Sequence, residues 1–282
     1  MLEIFSNKTP SEVIFIKLPG FFNNKKSIFF KRIISSLKKD NFGDTEFYKK
    51  DFGNFYFRNY KPEIKMINNI RKIPFKKNFI LSGLNLAFLG SFGLNRVPLS
   101  KYIYHWPDGI FHSRLFGNQS KKIPGREIIE KIKIPDNITL VRIIGNLSKI
   151  SKKALIKRFP YKKILHTKLG YGNLNDEIVK VKNIRNNELI FLTLPSPKQE
   201  IFALKLFRKF KKGKIICIGG AINIFSGEEK AVPEVLDKLG LEFIWRLKTE
   251  TRRRSLRLFT TFLGYLSFEN SNVVKRIKLS LL

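Results

Sequence analysis

With 282 residues, 43% of them hydrophobic, the chain has material for one large globular domain or one domain with appendages. Its formal net charge of +33 draws polyanions, of which nucleic acid, anionic lipid headgroups and phosphorylated substrates are the candidates. The single cysteine, Cys217, excludes an internal disulfide and a cysteine-based zinc site, and its apolar setting in KIICIGG predicts a core residue.

Charge alone does not choose among those partners. Phe is abundant beside Lys, Asn and Ile, with 27 Phe against 2 Trp, a skew that would follow from the codons of an AT-rich genome. His105, His112 and His166 form no HExxH-like ligand pattern. The polar, interrupted opening MLEIFSNKTPSEV carries no signal-peptide pattern, and no apolar run approaches the ~20 residues of a spanning helix. The expectation is a chain that does not cross a membrane.

In chain order, residues 1–75 read as an irregular α/β segment that is part of the core or leads into it. VIFIKL is a strand candidate, SIFFKRIISSLKK an amphipathic helix, and FYKKDFGNFYF a hairpin around Gly53. Residues 76–232 read as the core. KNFILSG is a strand, and from residue 137 strand and helix alternate. NITLVRIIG, KKILHT, ELIFLTL and KIICIGG are the strands; LSKISKKALIKRF, NDEIVKVKNI and PKQEIFALKLFRKF are the helices between them. That alternation predicts an α/β fold, a Rossmann-like, mostly parallel sheet with crossover helices. Ligands of such sheets sit at the carboxyl ends of the strands, so Gly145, the turn after Leu194, and Gly219 with Gly220 should face one crevice.

Residues 233–282 read as helices without strands. Phe259, Phe262, Leu263 and Leu266 make one apolar helical stripe, preceded by Arg246, Arg252, Arg253, Arg254 and Arg257. Such a basic, aromatic-bearing helix suits a membrane surface; it equally suits a helix packed on the core with a solvated basic face.

There is no GxGxxG, no Walker A sequence and no DxD metal-chelating pair. Four local features carry the chemical reading. YHWPDGIF presents Asp108 and Gly109 after a short apolar-aromatic run. LTLPSPKQE ends a strand and opens a helix at Pro197, leaving Lys198, Gln199 and Glu200 in its first turn. IGGAINIFSG follows the next strand with small residues that let a ligand approach the backbone. EFIWRLKTETRRR brings guanidinium groups that pair bidentately with phosphate oxygens. Taken singly, these are also a turn, a helix start, a tight turn and a solvated charge run.

Their order and spacing resemble the WecG/TagA/CpsF family of bacterial glycosyltransferases. Asp108-Gly109, Pro197-Lys198-Gln199-Glu200, Gly219-Gly220-Ala221, Ser226-Gly227, Pro233, Leu239-Gly240-Leu241-Glu242 and Trp245-Arg246-Leu247 follow that family's pattern. The resemblance implies inverting transfer from a UDP-sugar, N-acetylmannosamine or a related hexose, onto a polyprenyl-diphosphate-linked sugar in cell-envelope or extracellular polysaccharide synthesis. It maps the general base onto Asp108, a sugar-contacting side chain onto Gln199, and more loosely an upstream Asn onto Asn85. The diphosphate-binding arginines map onto Arg246, Arg253 and Arg257. Gly109, Gly145, Pro197, Lys198, Glu200, Gly219, Gly220 and Asn223 complete the expected substrate-binding set. The resemblance also makes the C-terminal segment a membrane-docking appendage, places the protein peripherally on the cytoplasmic face, and suggests self-association. No cofactor, metal or nucleic acid is expected. This sequence departs from the family pattern at Pro195, Asn223, Ala231 and Phe243, around the donor pocket, so the donor sugar is open. Two other classes remain: a catalytically divergent member serving as a scaffold, and a basic nucleic-acid-binding protein, for which no RNP, KH or zinc-finger pattern appears.

Overall fold

The computed structural model describes residues 63–93, 102–109, 111–117, 120–170, 174–233, 235–236, 245, 261–262, 265 and 277–282. The strand and hairpin expected before residue 63, the helix beside them, and Arg246, Arg253, Arg257, Phe259, Leu263 and Leu266 lie outside these residues. The chain divides into two compact units. One comprises Glu63–Asn85, Ser100–Glu242 and Leu279–Leu282; the other comprises Met1–Pro62, Leu86–Leu99 and Phe243–Lys278.

The first unit is built on a sheet of eight strands: β1 (Glu63–Met66), β2 (Phe79–Leu84), β3 (Ile103–Pro107), β4 (Leu140–Ile144), β5 (Lys163–Thr167), β6 (Glu188–Leu192), β7 (Lys214–Cys217) and β8 (Lys278–Leu281). Their order is β5-β4-β6-β7-β2-β3-β1-β8. All six pairings among β1 to β7 are parallel. Every residue of β2, β4 and β6 is buried, as strands covered by helices on both faces must be. The expected α/β, mostly parallel architecture is therefore present.

The crossovers that precede and follow these strands include α3 (Gly125–Lys131), α4 (Lys149–Arg158), α5 (Leu174–Val179), α6 (Lys198–Phe210) and α7 (Ala221–Phe225); α1 (Leu86–Gly93) and the single turn α2 (Ser113–Phe116) come earlier in the chain. Side chains alternate along each strand, and the alternation sorts the helices into two layers. Leu81, Val141, Ile143, Phe191 and Ile216 share one core with Ile128 and Ile129 of α3, Leu155 of α4 and Ile222 of α7. On the opposite face α6 packs over β2 and β7 and beside α5, burying Ile201, Phe202 and Leu206. Ser148 caps α4 by accepting from Ser151 N, the local signal that starts this helix.

β8 corrects one expectation from the sequence, that the segment from residue 233 is helical without strands. Leu282 N donates to Met66 O at 2.8 Å, and Asn68 N donates to Leu282 O at 3.3 Å. Ser280 Oγ donates to Glu63 Oε1 at 2.6 Å. This four-residue strand has no buried run of its own, so its pairing with β1 decides its conformation.

Within the second unit, α1 approaches the segment around Thr261 closely. A Cβ on Gly90 would stand 2.1 Å from Thr261 O, so only glycine permits that contact. Of the expected apolar stripe, Phe262 is helical and 42% exposed, whereas its neighbour Tyr265 is buried.

Candidate active site

Parallel pairing puts the carboxyl ends of β2, β3, β4, β6 and β7 along one edge. The register is close: Leu84 pairs with Pro107, Ser82 and Leu192 each pair with Cys217, and Ile144 pairs with Leu192. Asn85, Asp108, Gly145, the Thr193–Gln199 turn and Gly219-Gly220 each follow one of these ends. The chain leaves β4 for β5 on one side and reaches β6 on the other, the topological switch at which such sheets bind ligands.

Asp108 is half-buried immediately beyond β3. Asn85 Nδ2 donates to its Oδ2 at 2.7 Å. The pair fits because residue 83 has no side chain: a Cβ there would stand 2.8 Å from Asp108 Oδ2 and 3.2 Å from Asn85 Nδ2. The following turn is also pinned. Gly109 adopts φ +70°, and His112 is buried with Nδ1 2.8 Å from Gly109 O and Nε2 3.2 Å from Ser120 O. Ile123 N donates to Pro107 O at 2.7 Å and closes the loop. Gly83→Ala is therefore expected to leave the sheet folded while displacing the Asp108 carboxylate, lowering turnover by about tenfold or more, since small misplacements of a reacting group are costly. Unchanged turnover together with a retained Asn85–Asp108 contact in the variant would contradict this.

A second cluster surrounds Gln199. Glu200 is fully buried, and its Oε1 accepts from Ser82 Oγ at 2.7 Å, Ser196 Oγ at 2.8 Å and Gln199 Nε2 at 3.0 Å. Gln199 Nε2 also donates to Ser196 Oγ at 2.9 Å. Burial pushes the Glu200 carboxyl pKa up, against the Ser82, Ser196 and Gln199 donors that lower it. Beneath it lies a buried row made by cross-strand register: His105, Ser82 and Cys217 on β3, β2 and β7. Desolvation lowers the His105 pKa to about 3, and burial followed by the nearby Glu200 raises that of the Cys217 thiol. Cys217 is thus the core residue expected.

The other predicted residues among those described follow the ends of β4, β6 and β7. Gly145, at φ +121°, meets Thr193: a Cβ there would fall 2.5 Å from Thr193 Oγ1, which donates to Asn146 O at 2.7 Å. Gly219, at φ +53°, faces the Leu194 carbonyl and the Gln199 amide. Gly220 is exposed with open space beside its Cα, Pro197 is buried, and Lys198 opens α6. Asn223 Nδ2 donates to Glu229 Oε1 at 3.0 Å.

The Asp108 and Gln199 clusters do not merge. Gly83 stands with the first and Ser82 with the second, and consecutive strand residues point to opposite faces. The two clusters therefore flank the carboxyl end of β2 from its two sides. Sequence reasoning missed Ser82, Gly83, Ser196 and His112, and also Glu228, whose exposed carboxylate accepts from Ser148 Oγ at 2.6 Å, Ser226 Oγ at 3.0 Å and Ser151 Oγ. These hydroxyls, Ser148 first, hold the Glu228 pKa below the ordinary carboxylate value. Only LSG before Asn85 gave a signal for the first two. Among the described residues, no group of three or more His, Cys, Asp or Glu side chains is gathered to hold a metal ion.

Residues 141–275 match the model of the Glycosyl transferase WecG/TagA/CpsF family. This stretch is similar to that family. It includes Gln199, the Gly219-Gly220 turn and the arginine cluster, whereas Asn85 and Asp108 precede it. Two curated relatives are named N-acetylglucosaminyldiphosphoundecaprenol N-acetyl-beta-D-mannosaminyltransferase. The one from Staphylococcus aureus strain MRSA252 is 28% identical over 138 residues, and the one from strain NCTC 8325 / PS 47 is 30% identical over 139 residues. Each alignment covers 47% of this chain and 54% of the relative. The chain thus spans about half the length of the curated relatives it matches.

Proposed function

We propose that the protein is an inverting glycosyltransferase that moves a sugar, N-acetylmannosamine or a related hexose, from a UDP-sugar to a polyprenyl-diphosphate-linked acceptor sugar. The observation that carries this reading is the Asp108 carboxylate held by Asn85 at the carboxyl edge of the sheet, beside a family-matched stretch at the neighbouring strand ends.

The chemistry is a single displacement. An acceptor hydroxyl attacks the anomeric carbon, its proton passes to Asp108, and the bond from that carbon to the diphosphate oxygen breaks with UDP leaving. A sugar hydroxyl is a poor nucleophile, and a carboxylate within hydrogen-bond reach takes its proton as the new bond forms. Asn85 binds one carboxylate oxygen and leaves the group oriented for that task. Charge growing on the departing diphosphate is met by Arg246, Arg253 and Arg257, which supply it without a carboxylate-held metal. Gln199, beside Gly219 and Pro197, contacts a sugar.

The acceptor's lipid stays in the bilayer, so the enzyme works peripherally on the cytoplasmic face. The basic segment from residue 233 docks it on anionic headgroups, with self-association as a competing state. Among the described residues no helix is long and apolar enough to cross a membrane. The test is UDP release from a panel of UDP-sugars, with and without a short-lipid polyprenyl-diphosphate sugar. Acceptor-dependent release with one donor supports the reading and names the sugar; silence across the panel, with UDP still bound, points to a scaffold instead.

A further inference from the structure

The amide of Gln199 has its nitrogen fully committed. One proton of Nε2 goes to Ser196 Oγ and the other to Glu200 Oε1. Ser196 is able to accept because its own hydroxyl donates to Glu200 Oε1, and Ser82 donates to that oxygen from β2. Everything around Nε2 is therefore an acceptor toward it. Turning the amide over would set its oxygen against two oxygens whose protons are directed elsewhere. The other end of the amide is different. Gln199 is 95% buried, its exposure being 5%, yet its Oε1 has no hydrogen-bond partner among the described residues. That oxygen borders Gly219: a Cβ built there would stand 3.6 Å from it and 3.8 Å from Nε2. A buried amide oxygen without a donor is costly, and a ligand donor at the strand edge would relieve the cost.

We infer that Glu200, with Ser82 and Ser196, is a positioning residue that fixes the Gln199 amide with its nitrogen inward and its carbonyl oxygen unpartnered beside Gly219, so that this subsite takes a hydrogen-bond donor of the sugar, a hydroxyl or an acetamido N–H. The inference rests on the transferase reading for the identity of the ligand, but not for the orientation of the amide. It gives the subsite a polarity. A sugar in which the matching hydroxyl or N–H is removed loses a contact, and one in which it is replaced by an ether oxygen meets like polarity.

The test uses the full chain and three variants. Glu200→Met keeps the volume and removes the acceptor, Glu200→Gln restores an acceptor oxygen, and Ser196→Ala removes the bridging hydroxyl. In transfer assays with the lipid-linked acceptor, Glu200→Met is expected to raise KM for one of the two sugar substrates by about tenfold, a hydrogen bond's worth, with a smaller change in kcat. Glu200→Gln recovers most of that loss, and Ser196→Ala falls between. Equal damage in Glu200→Met and Glu200→Gln, or KM values for both substrates unmoved by Glu200→Met, overturns the inference. Should the wild-type chain transfer no sugar at all, the transferase reading fails on its own. The orientation is then read from the side-chain amide resonances of Gln199, assigned by their loss in Gln199→Leu. Slow exchange of both Nε2 protons in the wild type and in Glu200→Gln, lost in Glu200→Met, supports the lock. Fast exchange in the wild type overturns it.

Discussion

Asp108→Asn is expected to lower sugar transfer by about 10²- to 10⁴-fold, the range general bases contribute, while leaving the melting temperature nearly unchanged. The substitution removes one thing only. The amide replacing the carboxylate still offers an oxygen to Asn85 Nδ2, so the 2.7 Å contact and the space made by Gly83 survive. What it cannot do at neutral pH is accept the acceptor hydroxyl's proton. Binding of UDP should persist, since no part of the diphosphate reading runs through Asp108. Asn85→Ala should cost less, about tenfold, because the carboxylate remains and only its orientation is relaxed. Turnover undiminished in Asp108→Asn, with the protein folded, would remove Asp108 from the base role.

The largest expected effect on stability lies away from that edge. Arg142 on β4 faces Glu188 on β6 at 2.6 Å, and Glu188 has no exposed surface. Arg142 also donates to Asn183 O, and Arg185 N donates to Glu188 Oε2. Arg142→Met would leave a buried carboxylate without its counter-charge and is expected to cost about 3–5 kcal/mol in urea unfolding. The double variant Arg142→Met, Glu188→Leu should recover much of this, since an apolar pair avoids the desolvation of both ions. The pH dependence has a definite sign. Burial raises the Glu188 pKa above its ordinary value of 4.5, against the backbone donor and the Arg142 charge. A carboxyl with a raised folded value stabilises the fold below the unfolded value and loses that contribution as pH rises through the folded one. The Arg142→Met deficit should therefore shrink as the pH falls and grow as it rises. A deficit independent of pH would mean that lost packing, not the stranded carboxylate, is responsible.

How far the sequence carried this account depends on which residues one asks about. β4, β6 and β7 are short, mostly apolar runs that carry one charged residue each, Arg142, Glu188 and Lys214, and α6 is a 13-residue stretch of strong helix formers opened by Pro197, so local pattern identifies them. β1 and β8 have four residues each and mixed polarity, and β3 ends in a proline; their strand character comes from the partner, which no local window contains. The same holds for the site. Asp108 and Gln199 were legible because motif order marked them. Their supports were not. Asn85 meets Asp108 only because β2 and β3 pair in parallel with Leu84 opposite Pro107. Ser82 meets Glu200 across 118 residues of chain, and nothing in LSG announces that one of its residues serves the α6 face and the next serves the other. The Asp108 and Gln199 groups, which the motifs present as one set, are thereby divided between the two sides of β2.

The proposed reaction moves a sugar onto a lipid-linked acceptor by carboxylate chemistry that needs no carboxylate-held metal. The most direct measurement is mass analysis of a short-lipid polyprenyl-diphosphate sugar after incubation with the protein and the UDP-sugar panel in excess EDTA. The expected product is an acceptor heavier by one sugar residue, formed with inverted anomeric configuration and absent with Asp108→Asn. An acceptor that stays unmodified with every donor, or gains its sugar only when a divalent metal is restored, would contradict it.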